Sequence, residues 1–398
     1  MVNGNYYLPI TNNHPSSIHH KGYTMLKNTL PTGVQNTKVR TAVVGAGKMG
    51  AIHAKVYDQL PQSDFVAVVD IDANKARRLA DQYHCLAFTD YADILDKVDP
   101  VKSSWIRGTG ESLVETFNGV DAVTIATPTV THLKLAKDFI KKKIAVLIEK
   151  PLAANVREGK KIVSLAKKNN SVVAVGHSER CNPVVQAIKR LDIEPKFIEA
   201  NRISPYPFRS TDVGVVLDVM IHDIDIILSL AASKIKEIDA VGVSVIEEKE
   251  DICNARIKFE NGCIANITAS RLGLKTERKV RVFSRQAYLS VDYFKKSGII
   301  IKADPNTNVV KWIHEHKEAG DFDMTTVNWP DLLHIEQLVI DDKEPIRLEQ
   351  EAFLRAVMDR GFMPEVSAQE GLAALQCAEK ILASVKKHKW HENIDYNT

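Results

Sequence analysis

A strand, a glycine-spaced turn, a helix and a second strand succeed one another between Val39 and Asp70, and nothing else in the chain restricts its fold as much. Val39-Arg40-Thr41-Ala42-Val43-Val44 reads as the first strand and Gly45-Ala46-Gly47-Lys48-Met49-Gly50 as the turn. Ala51 to Leu60 reads as the helix, and Phe65-Val66-Ala67-Val68-Val69 as the next strand, ending at Asp70. Gly45 permits the tight turn, Gly47 lets backbone approach a pyrophosphate, and Gly50 lets helix and strand pack closely. The helix amino terminus favours the phosphate charge. A GxGxxG string alone is a weak signal. Flanked by strand and helix, with an acidic residue 20 positions beyond Gly50, it predicts a dinucleotide site that includes Lys48 and Met49. A carboxylate at Asp70 accepts hydrogen bonds from a ribose 2′-hydroxyl and repels a 2′-phosphate, which favours NAD over NADP. Arg77 and Arg78, in the next helix, could reach a phosphate or serve as a solvated face.

The alternation continues. Asp121 to Pro128 is a strand ending in a proline turn, with Thr131 placed to cap a helix starting near His132. Ile144 to Ile148 is an apolar strand leading into Glu149-Lys150-Pro151; a helix over Val156 to Lys168 and a strand over Ser171 to Gly176 follow. This predicts an α/β fold with a doubly wound parallel sheet of the Rossmann kind over residues 39–177. The stretch Val101 to Phe117 is longer than a usual connection and reads as an insertion, a lid or a contact loop.

Beyond residue 178 the texture changes. Lys196 to Ser204, Glu237 to Val245, Ile252 to Phe259, Cys263 to Arg271, Lys279 to Ser284, Ala287 to Tyr293 and Gly298 to Ile301 read as strands, and Glu260-Asn261-Gly262 is a hairpin signal. A second α/β domain over 178–398 is predicted, with a large open, mostly antiparallel sheet. Its face rich in Val, Ile and Ala implies helices on one side and a partner subunit on the other, as a homodimer or homotetramer. Leu348 to Lys387 is helical, with a break at Gly361 to Pro364.

Composition narrows the function classes. A formal charge of +3 in 398 residues, with cations spread along the chain, argues against nucleic acid. No run approaches the roughly 18 apolar residues of a membrane span, so a soluble protein without membrane partners is expected. Five scattered cysteines without a CxxC pair favour reduced thiols in a cytoplasm and no metal site. Residues 1–38 lack a secretory apolar core and read as a flexible appendage; His14, His19 and His20 could bind metal but fit a solvated tail as well.

Two places carry chemistry. Lys150 emerges where a buried parallel strand ends, the edge at which open α/β sheets bind ligands. Asp218, His222 and Asp225 are spaced i, i+4 and i+7 in a helical segment and so share one face. A histidine oriented by an aspartate exchanges protons near neutral pH, although a solvated polar face gives the same spacing.

GAGKMG, ATPTVTH, IEKP, VGHSERCNP and DVMIHDIDI occur in an order that resembles the Gfo/Idh/MocA family of nicotinamide-dependent sugar and polyol oxidoreductases, over residues 39–385. The resemblance implies that Lys150 lies beside nicotinamide and substrate, with Asp218 and His222 as the acid/base pair. It places Thr127, Pro128, His132 and Glu149 near the cofactor. Ser178 to Pro183 and Arg202 to Arg209 are similar to segments of the branch that oxidises the 3-hydroxyl of UDP-N-acetylglucosamine and related sugars. That implies Arg180, Asn182, Arg209 and Asp225 at the substrate, and a 3-keto product destined for amination in cell-envelope glycolipid synthesis. An inositol or free aldose dehydrogenase is the alternative within the family, and a non-catalytic dinucleotide-bound sensor the alternative outside it.

Overall fold

The computed structural model describes residues 38–96, 117–191, 193–206, 213–246, 248–303 and 333–388. The described residues from Lys38 onward form one compact unit. The N-terminal appendage, the 101–117 insertion except Phe117, and Arg209 lie outside the described residues.

The first sheet is built from β1 (Val39–Val44), β2 (Ser63–Val69), β3 (Leu86–Phe88), β4 (Ala122–Ile125), β5 (Ala145–Glu149) and β6 (Val173–Gly176). They lie in the order β3-β2-β1-β4-β5-β6 and all pair in parallel. Chain order reverses between β1 and β4, and ligand crevices of such sheets open at that reversal. Helices α1 (Lys48–Gln59), α2 (Ala73–Gln82), α3 (His132–Lys141) and α4 (Val156–Asn169) connect the strands. Both faces are covered, so β4 and β5 are buried along their whole length and read as continuous apolar runs.

After the short helix α5 (Pro183–Lys189) comes a second sheet. Its strands are β7 (Phe197–Ile203), β8 (Ile235–Val243), β9 (Ile252–Phe259), β10 (Ile264–Ser270), β11 (Glu277–Phe283), β12 (Ala287–Asp292), β13 (Ser297–Ala303) and β14 (Leu333–Gln337). The order is β14-β13-β12-β11-β7-β10-β9-β8, antiparallel except that β7 and β10 run parallel. Helices α6 (Ile221–Ala231), α7 (Pro345–Met358) and α8 (Ala368–Lys387) complete the described α-helices.

Alternation along these strands sorts the faces. Ile198, Ala200, Ala255, Ile257, Ala265, Ile267, Val280 and Val282 point to the helices and join Ile224 and Ile227 of α6 in one core. The other face mixes polar pairs, Asn254 with Thr268, Arg256 with Asn266 and Arg281 with Glu199, with the packed rings of Phe197, Phe283 and Tyr288 and an exposed Ile335. The Val, Ile and Ala content noted in the sequence therefore belongs mainly to the helix side.

One boundary drawn from sequence is crossed. Phe353 and Leu354 of α7 pack beside Val43, Tyr57 and Leu147, while Leu372 and Leu375 of α8 pack beside Ile162 and Val175. The last two helices thus return to the first sheet, and Val175 N–H donates to Val366 O. Chain order past residue 178 could not show this, because an amphipathic helix does not name the sheet it covers.

Candidate active site

The glycine turn follows β1 and meets the end of β4. A Cβ on Gly45, whose φ is +104°, would lie 2.6 Å from Ala126 O, and one on Gly50 would lie 1.7 Å from Gly45 O. Gly47 has nothing within 4 Å of its would-be Cβ, so this side of the turn is open. Gly47 also N-caps α1 without any side-chain hydrogen bond, and the first turn of α1 holds no acidic residue. The N–H groups of Lys48, Met49 and Gly50 have no intrahelical partner there, which makes the turn an anion cradle. Asp70 faces the same turn, accepting from Ala46 N at 2.7 Å and Asp72 N at 2.8 Å. These features fit the pyrophosphate and ribose of a dinucleotide.

Past β4, the Thr127 and Thr131 hydroxyls lie 2.7 Å apart, and Thr131 donates to Pro128 O. Thr131 therefore occupies the N-cap of α3 but makes no capping bond, a correction to its expected role. His132 is buried, with Nε2 at 3.0 Å from Thr127 O and Nδ1 at 3.1 Å from Pro151 O. Its ring ties together the loops that leave β4 and β5.

Glu149 is the last residue of β5 and is buried. His53 of α1, which accepts from Gln350 of α7, donates to Glu149 Oε1 at 2.8 Å; Glu149 Oε2 takes the Lys150 N–H. Burial opposes ionisation of this carboxyl, but the His53 bond and the Lys150 charge hold it below the usual range. Glu149 is thus a strut under Lys150 and not a group facing the crevice, a correction forced by its burial and paired oxygens.

The Lys150–Pro151 bond is cis. Lys150 Nζ lies 2.7 Å from Asp218 O and 3.3 Å from Asp218 Oδ1, with both side chains partly open. Asp218 sits in a π-helical turn, Val216–Met220, that precedes α6. The wider turn breaks the simple i, i+4, i+7 register: Asp218 reaches Lys150, His222 approaches His177, and Asp225 turns into the protein. Such turns are frequent at functional sites. Burial, followed by the charges of Lys150, Arg202, His177 and Arg278, holds the His222 imidazole well below its ordinary range, so it is neutral near pH 7.

Family models match this chain twice: "Oxidoreductase family, NAD-binding Rossmann fold" over residues 39–177, and "GFO/IDH/MocA C-terminal domain" over 197–290. The UDP-N-acetylglucosamine 3-dehydrogenase of Acidithiobacillus ferrooxidans is 32% identical over 260 residues, covering 65% of this chain and 75% of that protein. This chain belongs to the Gfo/Idh/MocA oxidoreductase family. The solved structure of that Acidithiobacillus enzyme, GnnA, superposes with TM-score 0.73 at 27% identity, covering 88% of this chain and 98% of the other. An inositol 2-dehydrogenase of Rhizobium meliloti is 22% identical over 367 residues, 88% of this chain and 98% of that protein. Levoglucosan dehydrogenase in complex with NADH and levoglucosan shares the fold at TM-score 0.70 and 16% identity, covering 89% of this chain and 99% of that one.

Within this Gfo/Idh/MocA chain the residues expected at the substrate separate. Arg180 and Asp225 form a buried two-point ion pair, at 2.8 and 2.7 Å, and Arg180 also reaches Glu370 at 3.2 Å. Asn182 caps α5, accepting from Val184 N. These three are committed to holding the fold, a correction to their predicted contact with substrate. Arg202 is equally committed, to Asp223 at 2.8 and 2.9 Å. Arg278 was missed. It lies on the helix-facing side of β11, opposite Arg202, with Nη1 at 3.2 Å from Glu179 and its side chain 41% exposed. His177, directly after β6, was also given no role, although it is fully buried. Neither residue has a spacing signal; only the pairing of β7 with β11 and of β5 with β6 brings them near His222.

Proposed function

We propose that this chain is a dehydrogenase that uses NAD to oxidise the 3-hydroxyl of a UDP-N-acetylhexosamine, yielding a 3-keto nucleotide sugar suited to later amination. The convergence of Lys150, Asp218 and His222 beyond the carboxyl edge of the first sheet carries the reading. Similarity to UDP-N-acetylglucosamine 3-dehydrogenase supports the substrate class, and Asp70 at the end of β2 supports NAD over NADP.

Bound nicotinamide supplies the hydride acceptor. The protein manages charge and protons. The cradle of Gly45, Gly47, Lys48, Met49 and Gly50 holds the pyrophosphate, and Asp70 the ribose; Thr127, Pro128 and His132 shape the neighbouring wall. His222, neutral at rest, takes the hydroxyl proton on Nε2, since its Nδ1 is the nitrogen buried away from the crevice. Lys150 stabilises the negative charge that develops on the oxygen, and Asp218 positions Lys150.

With Arg180 and Arg202 committed elsewhere, Arg278 is the described arginine open to the pocket and able to fork onto a diphosphate. Arg209 stays part of this proposal, as does a homodimer or homotetramer formed through the second sheet. Dinucleotide chemistry falls to residues 39–177 and substrate recognition to the remainder.

The test follows absorbance of reduced nicotinamide with NAD and a panel of UDP-sugars, inositols and free aldoses. Turnover of a UDP-N-acetylhexosamine is expected, with Arg278→Gln raising KM about tenfold for it, the scale of one charged hydrogen bond. Reduction by free polyols alone, or indifference to Arg278→Gln, would favour the inositol reading that the Rhizobium relative supports.

A further inference from the structure

Three buried imidazole nitrogens behind Lys150 lack a hydrogen-bond partner among the described residues: both of His177 and Nδ1 of His222. Buried polar atoms are nearly always paired, so an orphaned group of three calls for a reason. The backbone does not supply one, because the turn after β6 is already closed by His177 N–H donating to Val175 O and by Arg180 N–H donating to His177 O. The two rings stand edge to face, with centroids 6.4 Å apart and planes at 88°. A direct N–H···N bond would bring the centroids to roughly 5 Å. One water hydrogen-bonded to a nitrogen of each ring fits the longer separation.

We propose that His177 is the proton-relay partner of His222. Resting on His222 as the base of the reading above, the step runs as follows. The substrate O–H bond breaks and an Nε2–H bond forms on His222. His222 then gives up its Nδ1 proton to the bridging water, which passes one of its own to His177. The hydride leaves carbon separately for the dinucleotide, so no electron pair is unaccounted for.

The surrounding charges set the direction. His222 is faced by cations: Lys150 after β5, Arg202 on β7 and Arg278 on β11, with His177 beside it. His177 is faced by Lys150 and Arg180 but also by the carboxylates of Glu149 on β5 and Asp225 on α6. Glu349 of α7 faces those two carboxylates, and burial keeps it protonated. The Glu149 and Asp225 carboxylates favour a proton on His177, while Lys150, Arg202 and Arg278 disfavour one on His222, so the charges draw the proton from His222 to His177.

The test uses the full-length protein and His177→Gln, which keeps a polar side chain but carries no proton. Histidine-selective nitrogen NMR is followed against pH without dinucleotide. In the parent, His177 and His222 are expected to titrate as a coupled pair in two steps. In His177→Gln, His222 should titrate in one step at higher pH. Independent single-step titrations, with His222 unmoved by the substitution, overturn the relay; should the variant fail to fold, the parent titration decides alone. With whichever substrate reduces NAD, His177→Gln should lower kcat about tenfold or more while KM and NADH affinity stay within about twofold. Parallel loss of all three marks a packing residue and overturns the proposal. Parent enzyme inactive toward UDP-sugars refutes the substrate assignment but leaves the NMR result standing.

Discussion

The Lys150 ammonium is held by two oxygens of one residue, the Asp218 carbonyl and carboxylate, which leaves one of its three N–H donors for a substrate oxygen. Lys150→Met should therefore keep NADH binding, measured by fluorescence titration, and lose about 100-fold or more in kcat; near-normal turnover would contradict the role. In the proposed mechanism His222 sets the pH dependence. Its neutral form is the base, and burial holds its pKa well below the ordinary value, so activity is fully present above that ordinary value and falls only as pH drops through the depressed one. The acid limb of kcat/KM should lie below about pH 6.5, and a limb centred above it would exclude His222 as the base. Lys150 and His222 were singled out in the sequence because each stands at a recognisable place in a strand-end or helical pattern. Glu149 was misjudged for a matching reason: adjacent residues at a strand end point in opposite directions, and only packing shows which one faces the crevice.

The glycine turn gives its element little tolerance. A methyl on Gly50 would fall 1.7 Å from Gly45 O, which is backbone and cannot swing aside, so α1 and the turn must separate. Gly50→Ala should destabilise by about 1–3 kcal/mol and weaken NADH binding, read together by thermal melting and titration. Gly47→Ala, whose new methyl meets nothing, should melt close to the parent while still weakening dinucleotide binding by crowding the open cradle. Equal stability losses in the two variants would refute the distinction. Most elements were readable from sequence, since period and turn chemistry are local properties; β7, β9 and β12 begin or end within two residues of the sequence reading. The π-helical turn at Val216–Met220 was not. One extra residue in a turn leaves no mark on an apolar pattern, yet it determines which side chains of DVMIHDIDI reach Lys150, His177 or Arg180.

Across the whole molecule, buried arginines connect the two sheets and the returning helices. Arg180, just past β6, bonds Asp225 on α6 and Glu370 on α8, while Arg202 on β7 bonds Asp223 on α6. Arg180→Met would leave Asp225 buried without its partner. A loss of about 3–5 kcal/mol is expected, measured by denaturant unfolding, and a loss under about 1 kcal/mol would show that the clamp is dispensable. By itself, the sequence determined the parallel sheet, the dinucleotide turn, the mostly antiparallel second sheet and the lysine at a strand end, because hydrophobic period and glycine geometry act over a few residues. The tertiary structure decided which charges remain open to chemistry. Arg180, Arg202 and Arg278 carry the same guanidinium, and what separates them is burial and the distance to carboxylates on other elements. Those quantities exist only once the chain has closed on itself.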